Sequence, residues 1–367
     1  MKICIVLSTR PEIIKLASLI TILKKKKINF FLINTNQHYI KIMSKVFFKF
    51  FNVPKPKYNI KASGSRYDSF FSKSIGSIEK ILYKEKPNYL IVQGDTNTAL
   101  AGSFAASIFN RKQFVDKEKI NIVHIEAGLR SFDEKMPEEI NRKIIDQLSN
   151  YLFVPTKFDF NNLKNERLTV NKKIFIVGNT VSDMIKKYKA STAKNSILNK
   201  FKLIKKKYFL ITLHRPETVD NPIKLNKLIL DLEKIGKKFD FNFLFPVHPR
   251  TEKIIKKLKI KKLRFIKIAK PLEFINFLTI MKNSKIIFTD SGGIQEEASL
   301  LGVPCITIRE STERQLSLVN RNNILTGYNY KKIFKAVTYL NKKKITPSKI
   351  FGDGMVADRI FNILKKY

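Results

Sequence analysis

The chain has 367 residues, which is too long for one ordinary hydrophobic core and suggests two domains. Apolar residues make up 44% and charged residues 28%. These are ordinary values for a globular protein, and no apolar run reaches the roughly 18 residues of a membrane span. The net charge of +41 suggests a polyanion-binding protein. All but 13 of the 71 basic residues are scattered lysines, however, so nucleic-acid binding is not expected as the main function.

The chain starts with MKICIVLSTRPE, whose apolar stretch is too short for a signal sequence. A cytoplasmic location without membrane association is therefore expected. The two cysteines, Cys4 and Cys305, lie inside apolar, strand-like runs. Buried free thiols are expected there, rather than a disulfide or a pair of metal ligands.

Short apolar runs alternate with amphipathic stretches along the chain, a pattern typical of βαβ units around a parallel sheet. Six runs in the first half are predicted strands: KICIVLS, FFLINT, YLIVQGD, NIVHIEAG, YLFVPT and KIFIVGNT. A polar, lysine-rich stretch at residues 186–207 is the candidate domain boundary. Five further strands are predicted after it: YFLITLH, FNFLFPVH, RFIKIAKP, KIIFTDSGG and PCITIRE. The alternation predicts an α/β protein with two doubly wound domains that face each other across a cleft.

The rarer polar residues are concentrated at the carboxyl ends of these predicted strands, where doubly wound sheets bind their ligands. All four histidines and seven of the 13 arginines lie at or close after such ends, whereas lysine is scattered. They are His38, His124, His214, His248, Arg10, Arg130, Arg142, Arg215, Arg250, Arg309 and Arg314. This segregation indicates an active site.

The stretch FTDSGGIQEEA ends one strand and begins a helix. Ser291 could simply be the helix N-cap, with Glu296 and Glu297 favoured near the helix N-terminus. Alternatively, Ser291, Gly292 and Gly293 leave backbone N–H groups free for a diphosphate, and a carboxylate one turn later accepts hydrogen bonds from ribose hydroxyls. The stretch by itself does not decide between the two interpretations.

Two acidic residues follow consecutive predicted strands. Considered alone, Asp95 in GDTNTALAG is best explained as a cap of the next helix. Glu126 in HIEAGLR follows a strand that looks buried. A carboxylate there either pairs with Arg130 or has a raised pKa that suits proton transfer.

The segment MPEEINRK looks like a helix start, with proline and two acids in the first turn. Glu138 and Glu139 stand four residues before Arg142 and Lys143, which is the spacing of ion pairs on a helix. Ion pairing explains Glu139 best, whereas for Glu138 catalysis and ion pairing remain alternatives.

Three basic residues are candidate phosphate ligands. Arg10 follows the first strand and could bind a phosphate bidentately, and Lys15, about one helical turn later, could add a point charge. His214 is a candidate phosphate contact or general acid.

FGDGMVA near the C-terminus matches the G-x-G-x-x-A pattern of dinucleotide-binding loops, but no strand precedes it, so it is interpreted as a helix cap. No redox cofactor is therefore expected. No metal-ligand spacing occurs, and no metal site is expected.

Together these motifs resemble the non-hydrolysing UDP-N-acetylglucosamine 2-epimerase family. The segments that carry the resemblance are STRPEIIKLASLI, TNQHY, VQGDTNTALAG, HIEAGLRS, MPEEINRKIIDQLS, VGNT, LHRPETVDNP and TDSGGIQEEASLLGVPCITIRESTER. The resemblance implies two Rossmann-like domains of the GT-B type and a homodimer. It places the N-terminal domain at residues 1–180, the UDP-binding domain at 181–352, and a C-terminal helix that returns to the first domain at 353–367.

The resemblance also implies the chemistry. UDP-GlcNAc and UDP-ManNAc would interconvert by elimination of UDP to a 2-acetamidoglucal and its re-addition, without a cofactor, for surface polysaccharide synthesis. The implied catalytic residues are Asp95, Glu126, Glu138 and His214. The implied ligands of the UDP diphosphate and ribose are Arg10, Lys15, Ser291, Gly292, Gly293, Glu297 and Arg314. The alternatives are an epimerase of a modified UDP-HexNAc, a hydrolysing 2-epimerase and a GT-B glycosyltransferase.

Overall fold

A computed structural model of the chain describes residues 1–37, 41–62, 67–113, 118–193, 196–247, 249–258, 263–319 and 321–367. The chain forms two compact units. The first contains Met1–Lys186 and Ile350–Tyr367, and the second contains Lys187–Lys349.

The first unit contains a seven-stranded sheet with the order β3-β2-β1-β4-β5-β6-β7, and all of its strand pairs are parallel. Its strands are β1 Lys2–Leu7, β2 Asn29–Asn34, β3 Tyr58–Asn59, β4 Tyr89–Gln93, β5 Asn121–Ile125, β6 Tyr151–Val154 and β7 Lys173–Ile176. The helices of this part of the chain are α1 Arg10–Lys25, α2 Lys41–Phe50, α3 Tyr67–Glu85, α4 Asn97–Arg111, α5 Pro137–Leu148, α6 Lys157–Asn165 and α7 Val181–Ala193.

The second unit contains a six-stranded parallel sheet with the order β10-β9-β8-β11-β12-β13. Its strands are β8 Tyr208–Thr212, β9 Asn242–Pro246, β10 Ile266–Ala269, β11 Ile286–Thr289, β12 Cys305–Thr307 and β13 Asn323–Leu325. Its helices are α8 Ile197–Phe201, α9 Pro216–Val219, α10 Pro222–Phe239, α11 Pro249–Lys257, α12 Phe274–Asn283, α13 Gly292–Leu301 and α14 Tyr330–Lys342, with a 3-10 turn at Gln315–Leu318. The last helix, α15 Val356–Lys366, belongs to the first unit.

Both sheets have the doubly wound, Rossmann-like strand order, which confirms the predicted fold class. All eleven predicted strands are present. Prediction missed β3 and β13, which have two and three residues and carry almost no periodic signal. The stretch 186–207, the candidate domain boundary, contains the end of α7 and all of α8, and the two compact units divide between Lys186 and Lys187.

The central strands of both sheets are almost entirely buried. Every residue of β4 and of β8 is buried, as expected for parallel strands with near-continuous apolar sequences. In the first unit, the small residues of α4 allow close packing on the sheet. A Cβ added to Gly102 would lie 3.1 Å from Val92 Cγ1 and 3.3 Å from Val6 Cβ.

Cys4 and Cys305 are buried free thiols, as predicted. Burial raises the pKa of the Cys305 thiol to about 12, so its reactive thiolate form is suppressed. None of the helices in the described part of the chain combines the length and apolar character needed to cross a lipid bilayer.

Candidate active site

In the first unit, the candidate site lies where the neighbouring strands β4 and β5 end. Gln93 pairs with Ile125 in the parallel register, and the Gly94 N–H donates to the Ile125 carbonyl at 3.0 Å. Asp95 and Glu126 follow these paired ends directly. Both predicted acids therefore lie at the carboxyl ends of the central strands.

Glu126 is held in an unusual backbone conformation with φ of +74°, in the left-handed region that non-glycine residues rarely adopt. The N–H groups of Glu126 and Ala127 both donate to the Phe153 carbonyl, at 3.0 and 3.1 Å. The carboxylate is buried, and Lys15 Nζ and Gln93 Nε2 both donate to its Oε2. Strained backbone of this kind is characteristic of functional sites.

Arg130 does not pair with Glu126, contrary to one predicted alternative. Its buried guanidinium contacts Asp146 at 2.8 Å and forms two hydrogen bonds to Glu166 at 2.6 and 2.7 Å. His124 contributes to the same cluster: its Nδ1 lies 2.7 Å from Asp146 Oδ1. Burial opposes ionisation of Asp146, but His124 and Arg130 outweigh it and hold the pKa of that carboxyl below its usual range. The cluster supports the loop after β5.

Asp95 is not the cap of α4. Thr96 is the N-cap, and its hydroxyl accepts the Ala99 N–H at 3.0 Å. The Asp95 carboxylate is partly exposed and accepts a hydrogen bond from Arg142 Nη2 of α5. Asn141 of the same helix donates to the Asp95 carbonyl at 2.8 Å. These two contacts fix the first turns of α5 against the end of β4.

Helix α5 begins at Pro137, as predicted, and its two first-turn acids have different environments. Glu139 is fully buried and accepts hydrogen bonds from the Ser131 N–H and hydroxyl, both at 2.9 Å, and from the Phe132 N–H at 3.1 Å. Arg142 Nη1 lies 2.6 Å from Glu139, so this acid is ion-paired as predicted, but its partner is Arg142 and not Lys143, which contacts Glu134 instead. Burial opposes ionisation, yet the Ser131 donors and Arg142 hold the pKa of Glu139 below its usual range. Glu138 is only half-buried, on the helix that contacts Asp95.

The first turns of α1 bring further candidate residues to this edge of the sheet. Lys15 is buried against Glu126, as described above. The Arg10 guanidinium lies 4.7 Å from the centre of the Phe47 ring. Glu12 accepts the N–H groups of Ser8 and Thr9 at 2.9 and 2.6 Å, and it thereby orders the turn between β1 and α1.

In the second unit, the predicted anion-binding loop is the start of α13. Ser291 occupies the N-cap position but makes no side-chain capping hydrogen bond. The first N–H groups of a helix have no carbonyl partner within it, so this turn can donate to an anion. A Cβ added to Gly292 would overlap Glu313 Oε1, whereas one added to Gly293 would meet nothing closer than Ser291 Oγ at 3.9 Å. The two glycines therefore have different reasons to lack a side chain.

Arg314 lies beside this helix start. A Cβ on Gly292 would be 3.7 Å from Arg314 Cζ, and Arg314 Nε lies 2.9 Å from Glu296 Oε1. Glu296 is fully buried, so its position reflects this ion pair and not merely a preference for the helix N-terminus. Glu297, the predicted ribose ligand, is half-buried.

His214 follows β8, and its imidazole is about half exposed, with 53% of the side chain accessible. Its neighbour in the fold is Asp290, which follows the adjacent strand β11 and is fully buried. His38 and His248 lie outside the described residues, and so does the side chain of Arg250. Within the part of the chain that the structure describes, no group of three or more potential ligands could hold a metal ion.

These arrangements were compared with known proteins. A sequence model of the family described as UDP-N-acetylglucosamine 2-epimerase matches residues 21–365. The UDP-N-acetylglucosamine 2-epimerase of Methanocaldococcus jannaschii is 44% identical over 371 residues, covering 99% of this chain and 99% of that protein. The chain belongs to the UDP-N-acetylglucosamine 2-epimerase family. This confirms the family and the class of enzyme, an isomerase, that the sequence motifs indicated.

A solved structure of the M. jannaschii enzyme and one further relative extend the comparison within the 2-epimerase family. The crystal structure of M. jannaschii UDP-GlcNAc 2-epimerase in complex with UDP-GlcNAc and UDP matches with a TM-score of 0.91 and 44% identity over 100% of both chains. The UDP-2,3-diacetamido-2,3-dideoxy-D-glucuronate 2-epimerase of Pseudomonas aeruginosa is 34% identical over 371 residues, covering 100% of both. The family therefore includes enzymes named for more than one UDP-sugar.

Sequence reasoning missed several residues that contact the candidate site residues. Gln93, Asn141 and Glu313 contact predicted site residues but were not predicted as members of the site. Gln93 carried a usable signal, because it is the one polar residue in the buried strand YLIVQ. Glu313 carried none, because it lies in a loop and approaches Gly292, at the start of α13, only in the folded chain.

Proposed function

We propose that the chain catalyses reversible epimerisation of UDP-GlcNAc to UDP-ManNAc at C2, by elimination of UDP to a 2-acetamidoglucal and its re-addition. Inverting this carbon requires proton transfer on two faces of the sugar and stabilisation of a departing diphosphate. One observation carries the proposal: the adjacent strands β4 and β5 lead into Asp95 and Glu126, and α5, the helix that carries Glu138, is held against Asp95 through Asn141 and Arg142.

The residues of the first unit support the proton-transfer roles. Glu126 is buried and contacts Lys15, and Asp95 contacts Arg142, so both acids are held in position by cationic partners. We propose that Asp95, Glu126 and Glu138 are the catalytic carboxylates. Arg10 and Lys15 remain proposed diphosphate ligands, and the Lys15 contact with Glu126 implies that this ammonium also serves to position that acid.

The residues of the second unit support UDP binding. We propose that the N–H groups at Ser291, Gly292 and Gly293 hold the diphosphate and that Arg314 adds charge. A helix N-terminus with an open surface at Gly293 is suited to a close approach by phosphate oxygens. Glu297, one turn into α13, is the proposed ribose ligand, and His214 is proposed to assist the departure of UDP.

A second substrate is supported by a specific observation. The 34% identity to the P. aeruginosa enzyme named for a diacetamido uronic acid extends over the whole chain. A modified UDP-HexNAc is therefore the alternative substrate. The family resemblance also supports a homodimer and a role in surface polysaccharide synthesis, and sedimentation of the purified protein would test the dimer.

Incubation with UDP-sugars in heavy water tests the reaction itself. Elimination and re-addition should place deuterium at C2 of both epimers, and mass spectrometry measures its uptake. Comparing deuterium uptake into UDP-GlcNAc with uptake into the UDP-linked diacetamido uronic acid distinguishes the two candidate substrates. Release of free ManNAc would instead indicate a hydrolysing enzyme. Absence of both exchange and epimer with every UDP-HexNAc would refute the proposal.

A further inference from the structure

Asp290 is a fully buried carboxylate at the end of β11, next to the end of β8. Thr289 pairs with Thr212 in the sheet, and the Asp290 N–H donates to the Thr212 carbonyl at 3.3 Å. The acid therefore lies under the loop that carries His214. A buried carboxylate without charged or hydrogen-bonding partners would be strongly unfavourable, so its contacts indicate what it does.

The backbone of the neighbouring loop supplies donors to this carboxylate. The His214 N–H lies 3.2 Å from Oδ1 and 3.1 Å from Oδ2, and the Arg215 N–H lies 3.0 Å from Oδ2. Two consecutive N–H groups are thus turned toward one acid. This arrangement fixes the backbone from which the His214 side chain projects.

The imidazole of His214 faces the same acid. Its Nδ1 lies 3.3 Å from Asp290 Oδ1, while 53% of the side chain is accessible. An ionised carboxylate can only accept hydrogen bonds, so a hydrogen bond across this distance requires the hydrogen on Nδ1. In that tautomer of the neutral ring, the other nitrogen, Nε2, carries no hydrogen.

We propose that Asp290 is a positioning residue for His214: it fixes the loop and selects the tautomer protonated at Nδ1. The Nε2 atom then takes up a proton from solvent, to which 53% of the side chain is accessible, and donates a hydrogen bond to the departing diphosphate. The resulting imidazolium charge faces a buried carboxylate, which stabilises it. This inference rests on the proposed function for the role of His214, but the contact itself can be tested without activity.

The wild-type protein provides the first test. With only four histidines in the chain, long-range 1H–15N NMR correlations of the imidazoles can be assigned by comparison with the His214→Gln variant. The expected result for His214 in its neutral form is the tautomer protonated at Nδ1. A neutral His214 protonated at Nε2 would overturn the proposal, whether or not any variant folds.

The Asp290→Asn variant provides the second test. Its amide oxygen can still accept the N–H groups of His214 and Arg215, but its NH2 group would face Nδ1 and favour protonation at Nε2. We expect kcat for C2 exchange to fall about 100-fold with little change in KM, which is the low end for a positioned proton-transfer group. An unchanged tautomer or an unchanged kcat would contradict the inference.

Two controls separate positioning from general damage. Asp231→Asn alters another buried aspartate of the same unit, whose contact is with Lys234 in α10, and should leave kcat unchanged. In a His214→Gln background, Asp290→Asn should lower kcat little further, because its effect acts through His214. If the fold-losses in kcat of the two single variants multiply in the double variant, the proposal is overturned. The expected tautomer in a protein without C2 exchange would refute the proposed function alone.

Discussion

Replacing Lys15 by methionine should destabilise the protein, because it removes the ammonium that contacts the buried Glu126 carboxylate. The two side chains are only 10% and 4% exposed. Removing one partner of a buried ion pair costs about 3–5 kcal/mol, because the remaining charge is left in a poorly solvated site. Gln93 still donates to the carboxylate, so we expect the lower end, about 3 kcal/mol.

The double variant Lys15→Met, Glu126→Gln separates stability from chemistry. Glutamine keeps an acceptor oxygen for Gln93 and removes the charge, so stability should return to within about 1 kcal/mol of the wild type. C2 exchange should nevertheless be absent, because the proposed proton-transfer group is gone. The second substitution therefore restores stability without giving an active enzyme.

Urea unfolding followed by far-UV circular dichroism measures these changes, since the chain has no tryptophan. Lys112→Met is the matched control: that lysine is 58% exposed in its pair with Glu79, so its loss should cost less than about 1 kcal/mol. If the double variant loses as much unfolding free energy as the two single variants lose together, Lys15 and Glu126 are not coupled and the reasoning is refuted.

Two further predictions concern other parts of the fold. Gly292→Ala should cost about 1–3 kcal/mol by displacing Glu313. Gly293→Ala should fold at least as well as the wild type, yet it should bind UDP more weakly by calorimetry; equal UDP affinity would argue against the proposed diphosphate contact. Hydrogen bonds from Lys2, Lys57 and Tyr58 lower the pKa of Glu85 to about 2, below its value in the unfolded chain. Stability should therefore fall between about pH 5 and 2. A Glu85→Gln variant that loses as much stability over this pH range as the wild type would contradict that account.

The fold could be predicted because parallel strands buried on both faces leave continuous apolar runs, which are readable from the sequence. The edge of the sheet that carries Asp95 and Glu126 could be predicted for the same reason, since both follow such runs. The strands β3 and β13 were missed because segments of two or three residues are too short to show a periodic pattern of apolar residues. The helices in residues 186–207 were not predicted, because this polar, lysine-rich stretch was interpreted only as the candidate domain boundary.

The sequence did not predict which charged residues of the site form ion pairs with one another. Lys15 and Glu126 are 111 positions apart in sequence, and nothing local distinguishes that pairing from the nearby Arg130. Arg130 is instead taken up by Asp146, which lies on α5 and contacts the loop after β5 through the Gly128 N–H at 3.2 Å. Pairings of this kind depend on how the helices pack on the sheet, which the alternation of apolar runs does not specify.

The site also changes how the charge of +41 should be interpreted. The buried cations described here each contact a carboxylate: Lys15 contacts Glu126, Arg142 contacts Asp95 and Glu139, and Arg314 contacts Glu296. Burial requires that pairing, because an uncompensated charge in the interior is far more costly than one at the surface. The excess of lysine therefore contributes little to these clusters. Neutral donors such as the first N–H groups of α13 can bind an anion without breaking an existing ion pair, which favours that helix start over Arg314 as the main proposed contact to the diphosphate.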